Sequence, residues 1–240
     1  MENAPAGPAL PSELAGLLFD KDGTLFGFQA TWGGWASDLV RMLAPGDKGA
    51  QAKLAAALRL DLATRLFHAD SPIIAGTVDE SVDLMLPALH GWSFERLKDR
   101  VIDESRSVQP VEAVPLAPLF SRLSRAGLAL GIATNDSEDP TRAQLAGLSL
   151  ETAFDFIAGA DSGFGAKPGP GQCLAFADVV GLDPSRIAMI GDSTHDLRAG
   201  GAAGMVRVGV LTGVAEAADL APEADVVFPD IGHLPGWLGL

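Results

Sequence analysis

The sequence is 240 residues long, 48% hydrophobic and 20% charged, which supplies a sizeable packed interior and excludes a disordered chain. Its formal net charge of −14 repels nucleic acid and anionic membrane, and excludes both as general partners. The same charge repels a phosphorylated small molecule at long range, so binding one requires a local cation, a lysine or aligned backbone N–H groups.

Residues 1–14 lack the basic start and apolar run of a secretory leader. The lone Cys173 precludes an intrachain disulfide and fits a reducing compartment. No apolar segment is long enough to cross a bilayer, so the expectation is a soluble cytoplasmic protein.

In chain order, an apolar run at 15–19 predicts a first strand that runs into Asp20. The stretch 28–111 then lacks strand signals and reads as helices over 31–43, 49–67, 78–89 and 93–107. Within it, Leu54, Ala57, Leu58, Asp61 and Leu62 follow helical spacing. Trp32 and Trp35 read as core residues of this block.

A helix over 115–126 follows, with Leu116, Leu119, Phe120 and Leu123 on one face and Gly127 as its stop. A strand at 128–133 runs into Thr134 and Asn135, and another is predicted at 154–158. Helix 170–180, strand 187–190, helix 194–203 and strands 205–210 and 224–228 complete the pattern. The tail, 232–240, carries Pro235 and Trp237 and reads as irregular.

Strand–helix alternation predicts an α/β fold: a Rossmann-like, doubly wound parallel sheet with an inserted all-helical cap. The catalytic core is assigned to 1–27 and 112–240, and the cap to 28–111. In such sheets ligands bind beyond the carboxyl ends of the strands. Asp20, Thr134, Asn135 and Asp192 all lie at predicted strand ends.

Asp20 and Asp22 flank Lys21 and precede Gly23 and Thr24. Two carboxylates this close can divide nucleophile and proton-shuttle roles, although Asp-Gly is also a common turn. Asp192 and Asp196 are four apart at a helix start, where acids are also ordinary capping residues. Four carboxylates at one sheet end disfavour joint ionisation without a cation, and oxygen donors point to magnesium rather than zinc. Lys167, aimed by Pro168, offers a point charge to phosphate, although a lone lysine is ordinarily an exposed loop residue. Thr134 and Asn135 offer hydrogen bonds to phosphate or serve as turn residues. His195 reads as a residue of the helix's first turn.

The order Asp-x-Asp-Gly-Thr, Thr-Asn, Lys-Pro and Gly-Asp-x-x-x-Asp resembles the haloacid dehalogenase superfamily, and within it the phosphoglycolate phosphatase-like branch. The motifs run from Asp20 to Asp196. The resemblance implies a phosphatase that hydrolyses a small phosphorylated metabolite, such as phosphoglycolate, a sugar phosphate or a nucleotide. Asp20 would be the nucleophile, and Asp22 the acid and then the base. Magnesium would be held by the Asp20 carboxylate, the Asp22 backbone carbonyl and Asp192, with Asp196 in support. Thr134, the Asn135 backbone and Lys167 would hold the phosphoryl group.

Asp22 argues against dehalogenation, whose leaving group needs no proton. Where many relatives carry Asp-Ser after the first motif, this chain has Phe26-Gly27-Phe28. A phosphomutase on the same scaffold is the nearest rival, with Lys53, Arg59 and His68 as candidate cap groups. A phosphoacceptor signalling domain is the alternative of a different class. The sequence is silent on oligomeric state.

Overall fold

The computed structural model describes residues 13–240, so residues 1–12 of the segment assessed for a leader lie outside the described residues. The chain opens with β1 (Gly16–Phe19) and passes into α1 (Phe28–Leu43), α2 (Lys48–Ala57), a hairpin of β2 (Leu60–Asp61) and β3 (Leu66–Phe67), α3 (Val78–Met85) and α4 (Phe94–Ser105). It then alternates through α5 (Leu116–Arg125), β4 (Ala129–Ala133), α6 (Glu138–Gly147), β5 (Phe156–Ala158), α7 (Gly171–Val180), β6 (Ile187–Gly191), α8 (Thr194–Ala203) and β7 (Val206–Val210). The short α9 (Ala217–Leu220), β8 (Val226–Phe228) and α10 (Leu234–Trp237) finish it.

Six strands form one sheet in the order β5-β4-β1-β6-β7-β8, and all its pairings are parallel. β1 sits at the centre, with Phe19 in register with Ile132 on one side and Ile190 on the other. The chain first builds outward from β1 through β4 and β5, then returns to build β6, β7 and β8 on the other side. That reversal opens a crevice at the carboxyl ends of β1, β4 and β6.

Side chains alternate across the sheet. Leu17 and Phe19 pack with Leu119, Phe120 and Leu123 of α5 and Leu145 of α6. Leu18 faces the opposite layer, with Cys173 and Phe176 of α7 and Ala199 and Ala203 of α8. Short apolar runs therefore became strands because both faces are covered.

Residues 28–108 gather a separate apolar cluster that includes Phe28, Trp32, Leu39, Leu54, Phe67, Met85, Leu97 and Val108. The chain enters and leaves this inserted block side by side. The Gly27 N–H donates to the Val111 carbonyl at 2.9 Å, and the Ala113 N–H to the Leu25 carbonyl at 2.9 Å.

Three features differ from the sequence reading. The expected helix over 49–67 ends at Ala57, and the block is not all-helical, because β2 and β3 pair antiparallel. The Asp61 side chain accepts from the backbone N–H groups of Ala63 and Thr64, which locks a turn where helical spacing alone would continue. α6 had no apolar stripe to announce it; Pro140 is tolerated there because it falls in the first turn. The tail is ordered: Leu234 is buried, and Trp237 packs edge-on against Phe228. Among the described residues, no helix is long and apolar enough to cross a membrane.

Phe120 is 1% exposed and contacts Phe19 and Phe154 edge-to-face. Phe120→Ala should cost about 3–5 kcal/mol, read as a lower urea midpoint at unchanged slope.

Candidate active site

The sheet delivers the first site residue directly. Asp20 follows β1, and its N–H donates to the Ile190 carbonyl at 2.8 Å, which ties it to β6. The chain then doubles back: the Lys21 carbonyl accepts from Leu25 and Phe26 at 2.9 and 3.1 Å. Gly23 makes the reversal possible with φ +92°, a region costly for residues with a Cβ. A Cβ there would also strike the Asp192 carboxylate, as would one on Gly213 in the loop after β7.

β6 delivers Asp192, and α8 presents Asp196 one helical turn later. Ser193 and Asp196 form a capping box, in which the Asp196 Oδ2 accepts from the Ser193 N–H at 3.1 Å and hydroxyl at 2.6 Å. Asp20, Asp192 and Asp196 each offer an oxygen within 4.8 Å of the others, and all three are buried.

Lys167 reaches in from the loop before α7. Its Nζ lies 2.6 Å from Asp20 Oδ1 and 2.6 Å from Asp196 Oδ1, and donates to the Ala133 carbonyl at 2.7 Å. Burial opposes a charged lysine, but Asp196 and Asp20 outweigh it and raise the ammonium above its usual range. One ammonium does not neutralise three carboxylates. Burial first, then Asp196 and Asp22, pushes Asp20 up to about 7 against the pull of Lys167. Burial, with Asp20 and Asp196 beside it, likewise raises Asp192 well above the carboxylate range.

The donor set fits a hard divalent cation. Asp20 Oδ2 is buried with no hydrogen-bond partner among the described residues. Oxygen ligands, a surplus of negative charge and an unpaired buried oxygen are what such an ion satisfies. Asp196 is different: Lys167 and Ser193 already take both its oxygens. It stands behind the group and holds the lysine.

Asp22 does not join the three converging carboxylates. Its carboxylate lies 2.6 Å from the Lys21 Nζ and accepts from the Trp32 Nε1–H at 2.6 Å. Trp32, read from sequence as a core residue, is buried in the apolar cluster of the inserted block and also carries that block to the rim of the site. Thr134 is fixed by its N–H to the Ala158 carbonyl at 3.0 Å, and its hydroxyl accepts from the Asp136 N–H at 3.1 Å. The Asn135 side chain is a brace. Its amide donates to the Ala75 and Lys167 carbonyls, both at 2.9 Å, and its oxygen accepts from the Lys167 N–H at 2.8 Å. His195 sits in the first turn of α8, at the cavity wall. Lys53, Arg59 and His68 are exposed and do not line the cavity.

Sequence reasoning passed over a second buried charge group. Lys21 is fully buried, 2.6 Å from Asp22, 3.0 Å from Asp136 and 3.0 Å from the Gln144 Oε1. Its ammonium also lies 5.0 Å from the centroid of the Trp32 ring. Burial opposes its charge, but Asp22 and Asp136 hold its proton more firmly than in water. The available signal was a lysine between two aspartates with a third directly after Thr134-Asn135. Gln144 continues the chain of contacts by donating to the Ser105 carbonyl at 3.0 Å, at the exit of the inserted block.

The family model described as haloacid dehalogenase-like hydrolase matches residues 17–210. A phosphoglycolate phosphatase from Rhodospirillum rubrum is 34% identical over 121 residues, covering 50% of this chain and 50% of that protein. One from Escherichia coli K12 is 32% identical over 149 residues, 61% of this chain and 57% of that protein. The matched segment thus spans about half the length of these curated relatives.

Among solved structures, CbbY from Rhodobacter sphaeroides, in complex with phosphate, aligns with TM-score 0.69 and 20% identity over 95% of this chain and 100% of that one. The L-2-haloacid dehalogenase from Xanthobacter autotrophicus aligns with TM-score 0.63 and 19% identity over 94% and 98%. These likenesses establish the fold, on which different chemistries occur.

Removing Lys21 should unbalance Asp22 and Asp136 together. Lys21→Met should destabilise the fold by about 3–5 kcal/mol, read as a lowered urea midpoint. A midpoint unchanged from wild type would show that the buried group is not held by this charge.

Proposed function

Because the chain belongs to the haloacid dehalogenase-like hydrolase family, we propose that it is a magnesium-dependent phosphatase acting on a small phosphate monoester through a phosphorylated Asp20. The observation that carries this reading is the buried, unpaired Asp20 Oδ2 beside Asp192 and a fully engaged Lys167. The identity to phosphoglycolate phosphatases supports the reaction type.

In this reading Asp20 and Asp192 hold the magnesium ion with the Asp22 backbone carbonyl, and Asp196 fixes Lys167. When bound, magnesium supplies positive charge against the negative charge that builds on the transferring phosphoryl group. The Asp20 carboxylate attacks phosphorus and the bond from phosphorus to the ester oxygen breaks. Asp22 gives a proton to the departing alkoxide, so the alcohol leaves neutral. Water then attacks the same phosphorus, Asp22 takes its proton, and the Asp20–phosphorus bond breaks to release inorganic phosphate. The Lys21 ammonium and the Trp32 Nε1–H fix the Asp22 side chain in place.

The Thr134 hydroxyl and the Asn135 backbone N–H bind phosphate oxygens, and Lys167 joins them as its contact with Asp20 gives way to the transferring phosphoryl group. The block over 28–111 serves as a cap. It excludes bulk water during transfer and orients Asp22 through Trp32.

Three outcomes test this reading. Asp20→Asn should lower magnesium-dependent phosphate release at least about 1000-fold with the far-ultraviolet circular dichroism unchanged. Residual turnover above roughly a hundredth of wild type contradicts the nucleophile assignment.

Magnesium at about 100 times its Kd should raise Tm by about 5–10 °C, from roughly 2.7 kcal/mol of linkage. Asp192→Asn should remove that rise; a rise of equal size in the variant would place the ion elsewhere. Trp32→Phe keeps the ring and loses the donor to Asp22. It should lower kcat about tenfold with KM within twofold, and an unchanged kcat would dismiss the contact.

A further inference from the structure

A cavity of about 110 Å³ runs from the Asp20–Asp192–Lys167 group into the inserted block. Its inner end is walled by Phe28, Trp32, Trp35, Leu39, Phe67 and Met85. Among the described residues, Lys167 and His195 are the basic residues that line it, and both lie at the sheet end; Lys167 is already bound to Asp20 and Asp196, whereas the His195 Nδ1 is buried without a partner. Three of the hydroxyls on the wall already donate. Ser81 donates to the Thr77 carbonyl at 2.9 Å, Ser105 to the Ile102 carbonyl at 2.8 Å, and Thr77 to Glu80 at 3.0 Å.

We infer that the alcohol portion of the substrate is uncharged and apolar, of single-ring or short-alkyl size. This inference rests on the phosphatase reading and specifies its substrate class. A second anionic group carried into the inserted block, such as the carboxylate of phosphoglycolate, would meet no basic side chain there among the described lining residues, and would have Asp22 nearby. Burying such a charge unpaired is prohibitive.

A polyhydroxy sugar would strip its hydroxyls of water against aromatic and aliphatic walls, which also costs free energy. A hydrocarbon group gains from the same walls, and apolar cavities of roughly 150 Å³ take in single aromatic rings. The reaction is unchanged in balance: ester and water give an apolar alcohol and inorganic phosphate, with the proton passing through Asp22.

The test is a kinetic series on the full chain with magnesium: ethyl, propyl, butyl and benzyl phosphate, phosphoglycolate and glycerol phosphate. The alkyl esters share nearly the same leaving-group basicity, so differences report binding. KM should fall roughly fourfold per added methylene, and benzyl phosphate should exceed phosphoglycolate at least about tenfold in kcat/KM. A KM that is flat along the alkyl series, or a preference for phosphoglycolate or glycerol phosphate, overturns the inference while phosphate release still upholds the phosphatase reading. No release from any of the esters overturns both.

Discussion

Three buried carboxylates share a single ammonium, and this charge imbalance organises the rest of the molecule. Asp20, Asp192 and Asp196 arrive from two strand ends and one helix start, and Lys167 from a loop before α7. Each is buried, so none can discharge its cost to water. The sheet supplies the rigidity that holds like charges close. Asp20 is tied to the neighbouring strand by its own N–H, and Asp196 by the capping box of α8. An arrangement that repels itself in this way costs free energy, which the folded sheet around it has to offset.

The second buried ammonium links the inserted block to the sheet side. Lys21 lies next to Asp20 in sequence, yet it faces Asp22, Asp136 and Gln144. Through Gln144 it touches the exit of the inserted block, and through Asp22 it meets Trp32 near the entrance. Asn135 adds a third tie by holding both the Lys167 loop and the Ala75 carbonyl. The inserted block is therefore hydrogen-bonded to Asp22 and to Asn135 beside the Lys167 loop.

The core was legible because its signals are local. Leu17, Leu18 and Phe19 form a run that only a strand covered on both faces explains, and Asp20 ends it. Leu116, Leu119, Phe120 and Leu123 mark one helix face without ambiguity. The convergence of Asp20, Asp192 and Lys167 was legible through the order of their motifs.

What was hidden depends on contacts between distant residues. Asp61 capping a turn defeats a helical pattern that its neighbours share. The Trp32 donor to Asp22 is invisible while Trp32 reads as one apolar residue among many. α6 carries one large apolar residue, Leu145, and its packing through that residue is a tertiary fact. The character of the cavity likewise emerges only when α1, β3 and α3 come together.

The paired crossing at Leu25–Gly27 and Val111–Ala113 makes the inserted block a splice. Its two ends are already neighbours, joined by backbone hydrogen bonds that belong to the sheet side. A longer or shorter piece inserted between them makes nearly the same entropic demand, since doubling a loop adds only about 0.6 kcal/mol. A replacement module that kept these two ends would still have to supply the contacts that Trp32, Ala75 and Ser105 make to Asp22, Asn135 and Gln144.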